Sequence, residues 1–492
     1  MSTNVIKVKV GTLCGVTGGT QDIEVTTEQG ISQLILCASG MPEHRIQETK
    51  VRVWSALRQA GYKPKSTVVV NIPMIDKGTQ YVGMDLAIVM GILAAHGIVS
   101  VDSLSNTLFL AELSLDGLLR PVHGVLPVVA SVAADMEVIV ARANADEVSL
   151  VKGACGLIAN DLGSIVGFLA GQNTLTPVCP APEASVATDG IDMADVAGQA
   201  HVKRALEIAA AGGHSILMIG APGSGKTMMA RRLGTILPPM TDAETLETTI
   251  NQSVAGLMHH RKGLVMQRPF RAPHHTCSSA ALIGGGINPH PGEVSLAHNG
   301  VLFIDELPEW RREVLESLSQ AAECQEVDFR HGVTYPAKFQ TVYAMNPCPC
   351  GYSMDSRHTC TCTPNEVSRY RNRIKATSDL AEIHVEAPAI PFRDLATKDQ
   401  RRGESSATIR ERVIAARALL AKQDLTKEPK IPDESKRLLE AAVDRLGISM
   451  PAVTVILRLA RTIAALDGSE VIRTVHVAEA IQYRLLDRTS NF

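Results

Sequence analysis

No feature constrains this chain more than the run Ser215-Ile-Leu-Met-Ile-Gly-Ala-Pro-Gly-Ser-Gly-Lys-Thr-Met-Met-Ala230. Its apolar start, Ile216 to Ile219, predicts a buried parallel strand, and Met228 to Leu237 carries helical spacing. Between them Gly220, Ala221, Pro222, Gly223, Ser224, Gly225, Lys226 and Thr227 fit the phosphate-loop pattern GxxxxGK[ST]. The glycines let the backbone curl so that its N–H groups face phosphate oxygens, and the following helix adds the partial positive charge of its N-terminus. Lys226 is placed to reach the β- and γ-phosphates and Thr227 to ligate Mg²⁺, with Met228 continuing the cup at the helix start. The expected cofactors are ATP and Mg²⁺.

At 492 residues the chain is too long for one core. Its net charge of −3 gives no bulk argument for nucleic acid or membrane, so any DNA contact has to come from local basic loops. Val82 to Val101, the most apolar stretch, is interrupted by Asp85 and His96 and reads as a buried helix rather than a membrane span. The first residues show alternation rather than an export signal, so the expected compartment is the cytoplasm and the ten cysteines are expected to stay reduced.

In chain order, Asn4 to Val10 and Thr67 to Ile72 predict strands, and Glu48 to Gly61 and Met84 to His96 predict helices. Asp116-Gly117 marks a hairpin turn before a further α/β unit that includes the strand-like run from Val138. Thr174 to Thr188, with its prolines and alanines, reads as a linker. A helix opens after Asp195-Val-Ala-Gly-Gln199 and ends at Gly212-Gly213. Val301 to Glu306 and Phe339 to Met345 are the next strands of a mostly parallel sheet. From Ser406 the pattern is helical: Ser406 to Lys422, Asp433 to Leu446, Ala452 to Leu466 and Val475 to Leu486.

Two carboxylates, Asp305 and Glu306, end an apolar strand. Behind a phosphate loop the first is expected to hold Mg²⁺ and the second to act as general base toward water. Asn346 closes the next strand, where it either orients the γ-phosphate or water, or simply forms a turn before Pro347. Cys348, Cys350, Cys360 and Cys362 form two close pairs suited to a tetrahedral Zn²⁺ site, with His358 as a substitute ligand; four unligated cysteines are the alternative. Cys14, Cys37, Cys155, Cys179, Cys277 and Cys324 show no pairing and are expected in the core. Arg268-Pro-Phe-Arg-Ala-Pro-His-His275 and Gly284 to Gly292 are shaped loops, whose paired histidines are expected to pack or to contact a ligand, with metal binding as the alternative. Val327 to Tyr335 predicts a hairpin turning near His331-Gly332, locally basic through Arg330, His331 and Lys338.

Together GAPGSGKT, RPFRAPHH, GGGINPHPGEVSLAHNGVLFIDELPE, YPAKFQTVYAMNPCPCG and the late LARTIAAL…HVAEAIQYR resemble the magnesium-chelatase-like AAA+ family, nearest its ComM/YifB-type helicases. The resemblance covers nearly the whole chain. It implies a hexameric ATP-driven motor that migrates single-stranded or branched DNA during natural transformation and recombination, alongside recombination proteins and away from membranes. It also implies a pore lined by the insert and the hairpin, with Arg330 and Lys338 near DNA phosphates. The N-terminal region resembles the Lon protease domain. The loop Lys77 to Leu86 has no serine, however, and Leu126 stands where Lon carries its lysine, so no peptidase activity is expected.

Two departures bear on turnover. Leu380, in Ser378-Asp-Leu-Ala-Glu-Ile-His384, stands where the family carries a trans-acting arginine, and Ser449-Met-Pro451 replaces a Ser-Ala-Arg that supplies a second one. Loss of an arginine finger costs roughly three orders of magnitude or more in rate. Arg369, Arg371 and Arg373 are either substitutes or surface residues. The expected architecture is thus α/β: a Lon-protease-like domain over residues 1–173, a linker over 174–190, a P-loop AAA+ core over 191–393 and an all-α lid over 394–492. The expected function is an AAA+ ATPase and DNA helicase. The rivals are a nucleotide-switched regulatory protein and a chelatase-type motor subunit.

Overall fold

The computed structural model describes residues 5–179 (apart from 40, 75, 77, 133 and 135), 190–258, 263–286, 289–354, 358–375, 380–389, 403–423, 431–484 and 486. Much of the expected linker (180–189), Lys77, Ser378, Asp379 and the junction at 394–402 lie outside the described residues.

The strand Ile216–Ile219 takes a central place in a five-stranded sheet. Gln340–Met345 and Ile383–Glu386 flank it, and Val301–Ile304 and Phe270–Arg271 extend the sheet beyond Gln340–Met345. Every pairing is parallel, as expected of strands joined by helical crossovers. Parallel strands covered on both faces need apolar residues at every position, and alternation then decides which core each one enters. Ile216, Met218, Val301, Phe303, Val342 and Ala344 face one core, while Leu217, Ile219, Leu302, Ile304, Tyr343 and Met345 face the other. The first of these cores is shared with the helices Ala200–Gly212, Lys226–Ile236 and Ser406–Ala421, and with Asp433–Leu446, Met450–Leu466 and Thr474–Gln482. The late helices therefore pack on this sheet through Ile456, Leu459, Ile463 and Val477. A polar latch joins the same elements. His214 contacts Glu382 through Nδ1 and Thr462 Oγ1 through Nε2 (2.8 Å), and Arg458 pairs with Glu382 at 2.5 Å.

The N-terminal unit holds two sheets. In the first, Ile6–Cys14 lies between Thr17–Glu28 and Thr79–Val82, and Thr67–Ile72 and Gln33–Ala38 continue beyond Thr17–Glu28. In the second, Thr107–Leu110, Glu137–Ala141 and Cys155–Ala159 run parallel. Thr176–Pro177, placed in the linker from its composition, instead adds an antiparallel edge strand to this sheet. Helix Met84–Ala95 is buried along nearly its whole length, as its sequence predicts, and Asp85 inside it pairs with Arg52 at 2.5 Å. The Asp116-Gly117 turn joins Glu112–Leu113 to Leu119–Arg120.

Among the contacts that tie this unit to the part built on the five-stranded sheet, two stand out. The hairpin Glu326–Phe329/Val333–Pro336 buries Val333 and Tyr335 among Leu13, Val82 and Val128. At its seat Gly15 is indispensable: its φ is +57°, and a Cβ there would lie 2.5 Å from the Thr334 carbonyl oxygen. The second contact is the buried carboxylate of Glu147. It accepts hydrogen bonds from Asn144 Nδ2 (3.0 Å), from Ser253 Oγ on helix Asp242–Val254 (2.5 Å), and from the N–H of Leu126 (3.4 Å).

Among the six cysteines expected in the core, Cys37, Cys155, Cys179 and Cys324 are exposed and Cys14 and Cys277 are half-buried. Cys155 begins a strand and Cys324 ends a helix, where the chain leaves the core.

Glu147→Ala leaves Asn144 and Ser253 facing a buried void without their acceptor. It is expected to destabilise the junction by about 1–3 kcal/mol. Limited proteolysis of the full chain checks this: faster cleavage between the units is the expected outcome.

Candidate nucleotide site and cysteine centre

The site lies at the carboxyl ends of the parallel strands, where the chain leaves Ile219, Ile304 and Met345. Gly223 (φ 74°) and Gly225 (φ 90°) take left-handed conformations that let the loop close on itself before helix Lys226–Ile236. Gly220 is needed for room, since a Cβ there would sit 2.3 Å from the Ala387 carbonyl oxygen. Lys226 is buried, and its Nζ donates to the carbonyl oxygens of Gly220 (2.8 Å) and Ala221 (3.0 Å) and to Asn346 Oδ1 (3.3 Å). Burial lowers its pKa below the ordinary lysine value, and the negative charge of Asp305 opposes that shift. Thr227 and Met228 are exposed at the loop's mouth. Ser224 Oγ is buried without a hydrogen-bond partner, a polar atom that a phosphate oxygen would satisfy.

The sheet register thus brings Lys226, Asp305 and Asn346 together. Glu306 follows Asp305 with φ 51° and ψ 46°, a left-handed backbone that costs a non-glycine residue about 1–3 kcal/mol. Its N–H donates to Asp305 Oδ1 at 2.9 Å, and Trp310 Nε1 donates to the Asp305 carbonyl at 2.9 Å. Two neighbours were not assigned to this site from the sequence. Gln199, itself at φ 54°, donates through Nε2 to the Pro388 carbonyl (2.5 Å), beside the loop. His275, from the paired histidines, meets Glu306 Oε2 at 2.7 Å. Arg232 pins the preceding segment by donating to the Asp192 carbonyl and to Asp195.

The four paired cysteines converge. Their sulfurs all lie within 4.8 Å of one another, with Cys348–Cys350 at 3.4 Å, Cys350–Cys360 at 3.5 Å and Cys348–Cys360 at 3.8 Å. Zinc–sulfur bonds of about 2.3 Å in a tetrahedron place sulfurs about 3.8 Å apart, so the set fits a structural Zn²⁺. Backbone N–H groups, that of Tyr352 first, hold the Cys350 thiol down at about 5, while hydrogen bonding to Cys350 and Cys348 raises Cys360 and Cys362, as expected of crowded thiols that share charge. His358 lies tilted against Tyr352 (4.9 Å between ring centres) and stands outside this group.

This centre abuts the phosphate loop. Gly351, at φ 86°, packs so closely on Pro222 that a Cβ would come within 2.5 Å of Pro222 Cδ. Tyr370, buried on the helix Pro364–Lys375 that follows the cysteines, lies near the backbone of Asn346, and burial raises its phenol above the ordinary tyrosine value.

The positions expected to lack arginines are apolar or capping. Leu380 packs in the core that holds Tyr370, and its carbonyl accepts from Ser215 Oγ at 3.1 Å. Ser449 caps helix Met450–Leu466 by accepting the Ala452 N–H. Arg369 is exposed and Arg373 sits 3.8 Å from Glu309. Arg330 is exposed at the hairpin turn and Lys338 lies exposed beyond its second strand. Leu126 is fully buried. Among the described residues no helix is long and apolar enough to cross a membrane.

Comparison with known proteins agrees with this arrangement. Residues 192–395 match the family model described as magnesium chelatase, subunit ChlI. Residues 23–144 match subunit ChlI of Mg-chelatase, and residues 403–484 match the ChlI C-terminal model. The chain is 40% identical over 479 residues to competence protein ComM of Haemophilus influenzae, covering 92% of this chain and 93% of that protein. It is 38% identical over 483 residues to the uncharacterised protein YifB of Escherichia coli, covering 95% and 94% respectively. It is 35% identical over 500 residues to an uncharacterised protein of Mycobacterium tuberculosis, Rv2897c, covering 96% of each. With a parallel sheet, a phosphate loop and paired acids in place along the matched length, the chain belongs to the magnesium-chelatase-like AAA+ family, in its ComM/YifB branch.

Proposed function

We propose that this protein is an ATP-hydrolysing motor of ComM type, assembling as a hexamer and driving branch migration of DNA during natural transformation or recombination. The observation that carries the nucleotide reading is the grouping of Lys226 with Asn346 and the Asp305 charge, beside an unpartnered buried hydroxyl on Ser224. Thr227 and Asp305 would hold Mg²⁺, which neutralises phosphate charge when bound. Lys226 would exchange its carbonyl contacts for phosphate oxygens. Glu306 would take a proton from the attacking water, and Asn346 would orient that water or the γ-phosphate.

The DNA reading rests on likeness to a competence protein and on the family resemblance, with the exposed Arg330 and Lys338 offering phosphate contacts. The four-cysteine centre would hold a structural zinc that fixes the loop against Pro222. Cytoplasmic placement accords with free cysteines throughout the described residues.

One observation favours a second reading, a nucleotide-switched regulatory protein without helicase activity. Leu380 packs in a core and Pro451 lies in the first turn of a capped helix, so neither position can send a guanidinium to a phosphate. Turnover would then be slow, and ATP would act chiefly by being bound.

Lys226→Ala is expected to weaken ATP binding roughly 100-fold, the equivalent of one charge-assisted contact of about 3 kcal/mol. Glu306→Gln should bind ATP as tightly as wild type and turn over roughly 10²–10⁴ times more slowly. Equilibrium binding and steady-state phosphate release test both, and unwinding of branched DNA with and without ATP separates the motor from the switch. Elemental analysis should find one zinc per chain, lost in Cys348→Ser; purified protein free of metal contradicts the zinc assignment.

A further inference from the structure

Cys155 and Cys179 show no pairing in the sequence, but sheet register sets them face to face. Cys155 opens the strand Cys155–Ala159, and Thr176–Pro177 pairs with it antiparallel, Leu157 opposite Pro177 and Ile158 opposite Thr176. Continued by two residues, that register puts Gly156 opposite Val178 and Cys155 opposite Cys179. Two observations show that the pairing does continue. The Val178 N–H donates to the Gly156 carbonyl at 2.8 Å, and a Cβ on Gly156 would lie 2.8 Å from Val178 Cγ2. Gly156 and Val178 therefore form a hydrogen-bonded pair, turned toward Val148 in the core. Cys155 and Cys179, one residue on, turn to the opposite face, where both are exposed. Antiparallel ladders alternate, so theirs is a non-hydrogen-bonded pair, with Cα atoms about 4.5 Å apart. Pro177, which has no N–H to offer, sits in the same kind of pair and agrees with this phase. Disulfides span Cα separations of about 4.4–6.8 Å, so these two cysteines are within bonding reach as the strands stand.

We propose that Cys155 and Cys179 are a reversible redox pair, oxidised to an intramolecular disulfide by hydrogen peroxide and restored by a dithiol reductant. In the reduced protein Cys155 Sγ donates to the Ala134 carbonyl at 3.6 Å, on the side of the neighbouring strand Glu137–Ala141. A turn about its Cα–Cβ bond swings the sulfur from there toward Cys179. One thiolate attacks a peroxide oxygen, the O–O bond breaks, and a sulfenic acid and a water result. The second thiolate attacks the sulfenic sulfur, so the S–S bond forms, the S–O bond breaks and a second water leaves. Two electrons pass from the sulfurs to the peroxide, and both thiol protons end in water. A dithiol returns the two electrons by exchange and is itself left as a disulfide. Exposure gives both reagents access, and neither sulfur belongs to the four-cysteine centre. The bond fastens a two-residue edge strand, the kind of element that opens most readily. Cys179 is also the last described residue before Gly190, so oxidation fixes where the connection to the nucleotide-binding part begins. Each residue that peeled from the sheet would lengthen that connection by up to about 3.3–3.6 Å.

The test uses the full chain, reduced, treated with hydrogen peroxide, alkylated and digested with trypsin for mass spectrometry. No Lys or Arg lies between Lys152 and Lys203, so one peptide carries both cysteines and no other. That peptide is expected to escape alkylation and to be lighter by its two thiol hydrogens, in roughly tenfold excess over its sulfinic and sulfonic forms. Cleavage at Asp161 should then leave two fragments that part only when a dithiol is added. Cys155→Ser and Cys179→Ser should each abolish the linked product. Cys37, exposed with Asn71 opposite it, is the internal control and should form no intramolecular bond. Amide hydrogen exchange at Val178 should slow at least roughly tenfold on oxidation of wild type and stay unchanged in Cys155→Ser. A peptide oxidised only to sulfinic or sulfonic acid overturns the pair, as does either cysteine bonding to another thiol in preference. So does a pair still fully alkylated at a peroxide concentration that oxidises Cys37. Exchange at Val178 that oxidation does not slow overturns the fastening of the strand.

Discussion

Everything at the nucleotide site depends on where one ammonium group is held. Lys226 Nζ touches two carbonyl oxygens of its own loop and the side chain of Asn346, more than a hundred residues later in the chain. That reach is possible only because the strands ending at Ile219 and Met345 are adjacent and in register, with Ile219 opposite Met345. A slip of one residue would turn alternate side chains into the wrong core and carry Asn346 away from the lysine. The register is in turn fixed by two separate apolar cores, one on each face of the sheet. Burial of the apolar strands is thus the force that positions a charged group.

The cysteine centre extends the same dependence. Asn346 and Cys348 are separated only by Pro347, while Gly351 lies on Pro222 and Tyr370 lies near the Asn346 backbone. Asn346 is therefore framed on one side by the phosphate loop and on the other by the cysteine loop and its helix. A loop rich in glycine and proline has little regular hydrogen bonding to hold it, and convergent thiolates offer a cross-link that regular structure does not.

The strands, the phosphate loop and the paired acids were legible in the sequence because each rests on local pattern. Four apolar residues before GxxxxGK[ST] or before Asp-Glu leave few alternatives. The hairpin at 326–336 and the turn at Asp116-Gly117 were legible for the same reason. The convergence of the cysteines followed from their close pairs, but the contact of that loop with Pro222 did not, since it depends on a positive φ at Gly351. The pairing of His275 with Glu306 depends on the register of a two-residue strand, which no periodicity can announce. Thr176–Pro177 and the six scattered cysteines were misread for a related reason. Composition describes what a residue prefers, whereas its position on an edge or at an element's end decides what it gets.

The seat of the hairpin on the N-terminal unit has a mechanical meaning. Gly15 leaves no space for even a methyl group beneath Thr334, and Val333 and Tyr335 are shared with a core built mostly of N-terminal residues. A pull on the exposed turn at Arg330 is accordingly borne by two sheets of the N-terminal unit, not by the hairpin alone. Close packing makes that support stiff, because displacement by a fraction of an ångström already forfeits contact energy. In this packing the unit is to the hairpin what an abutment is to an arch.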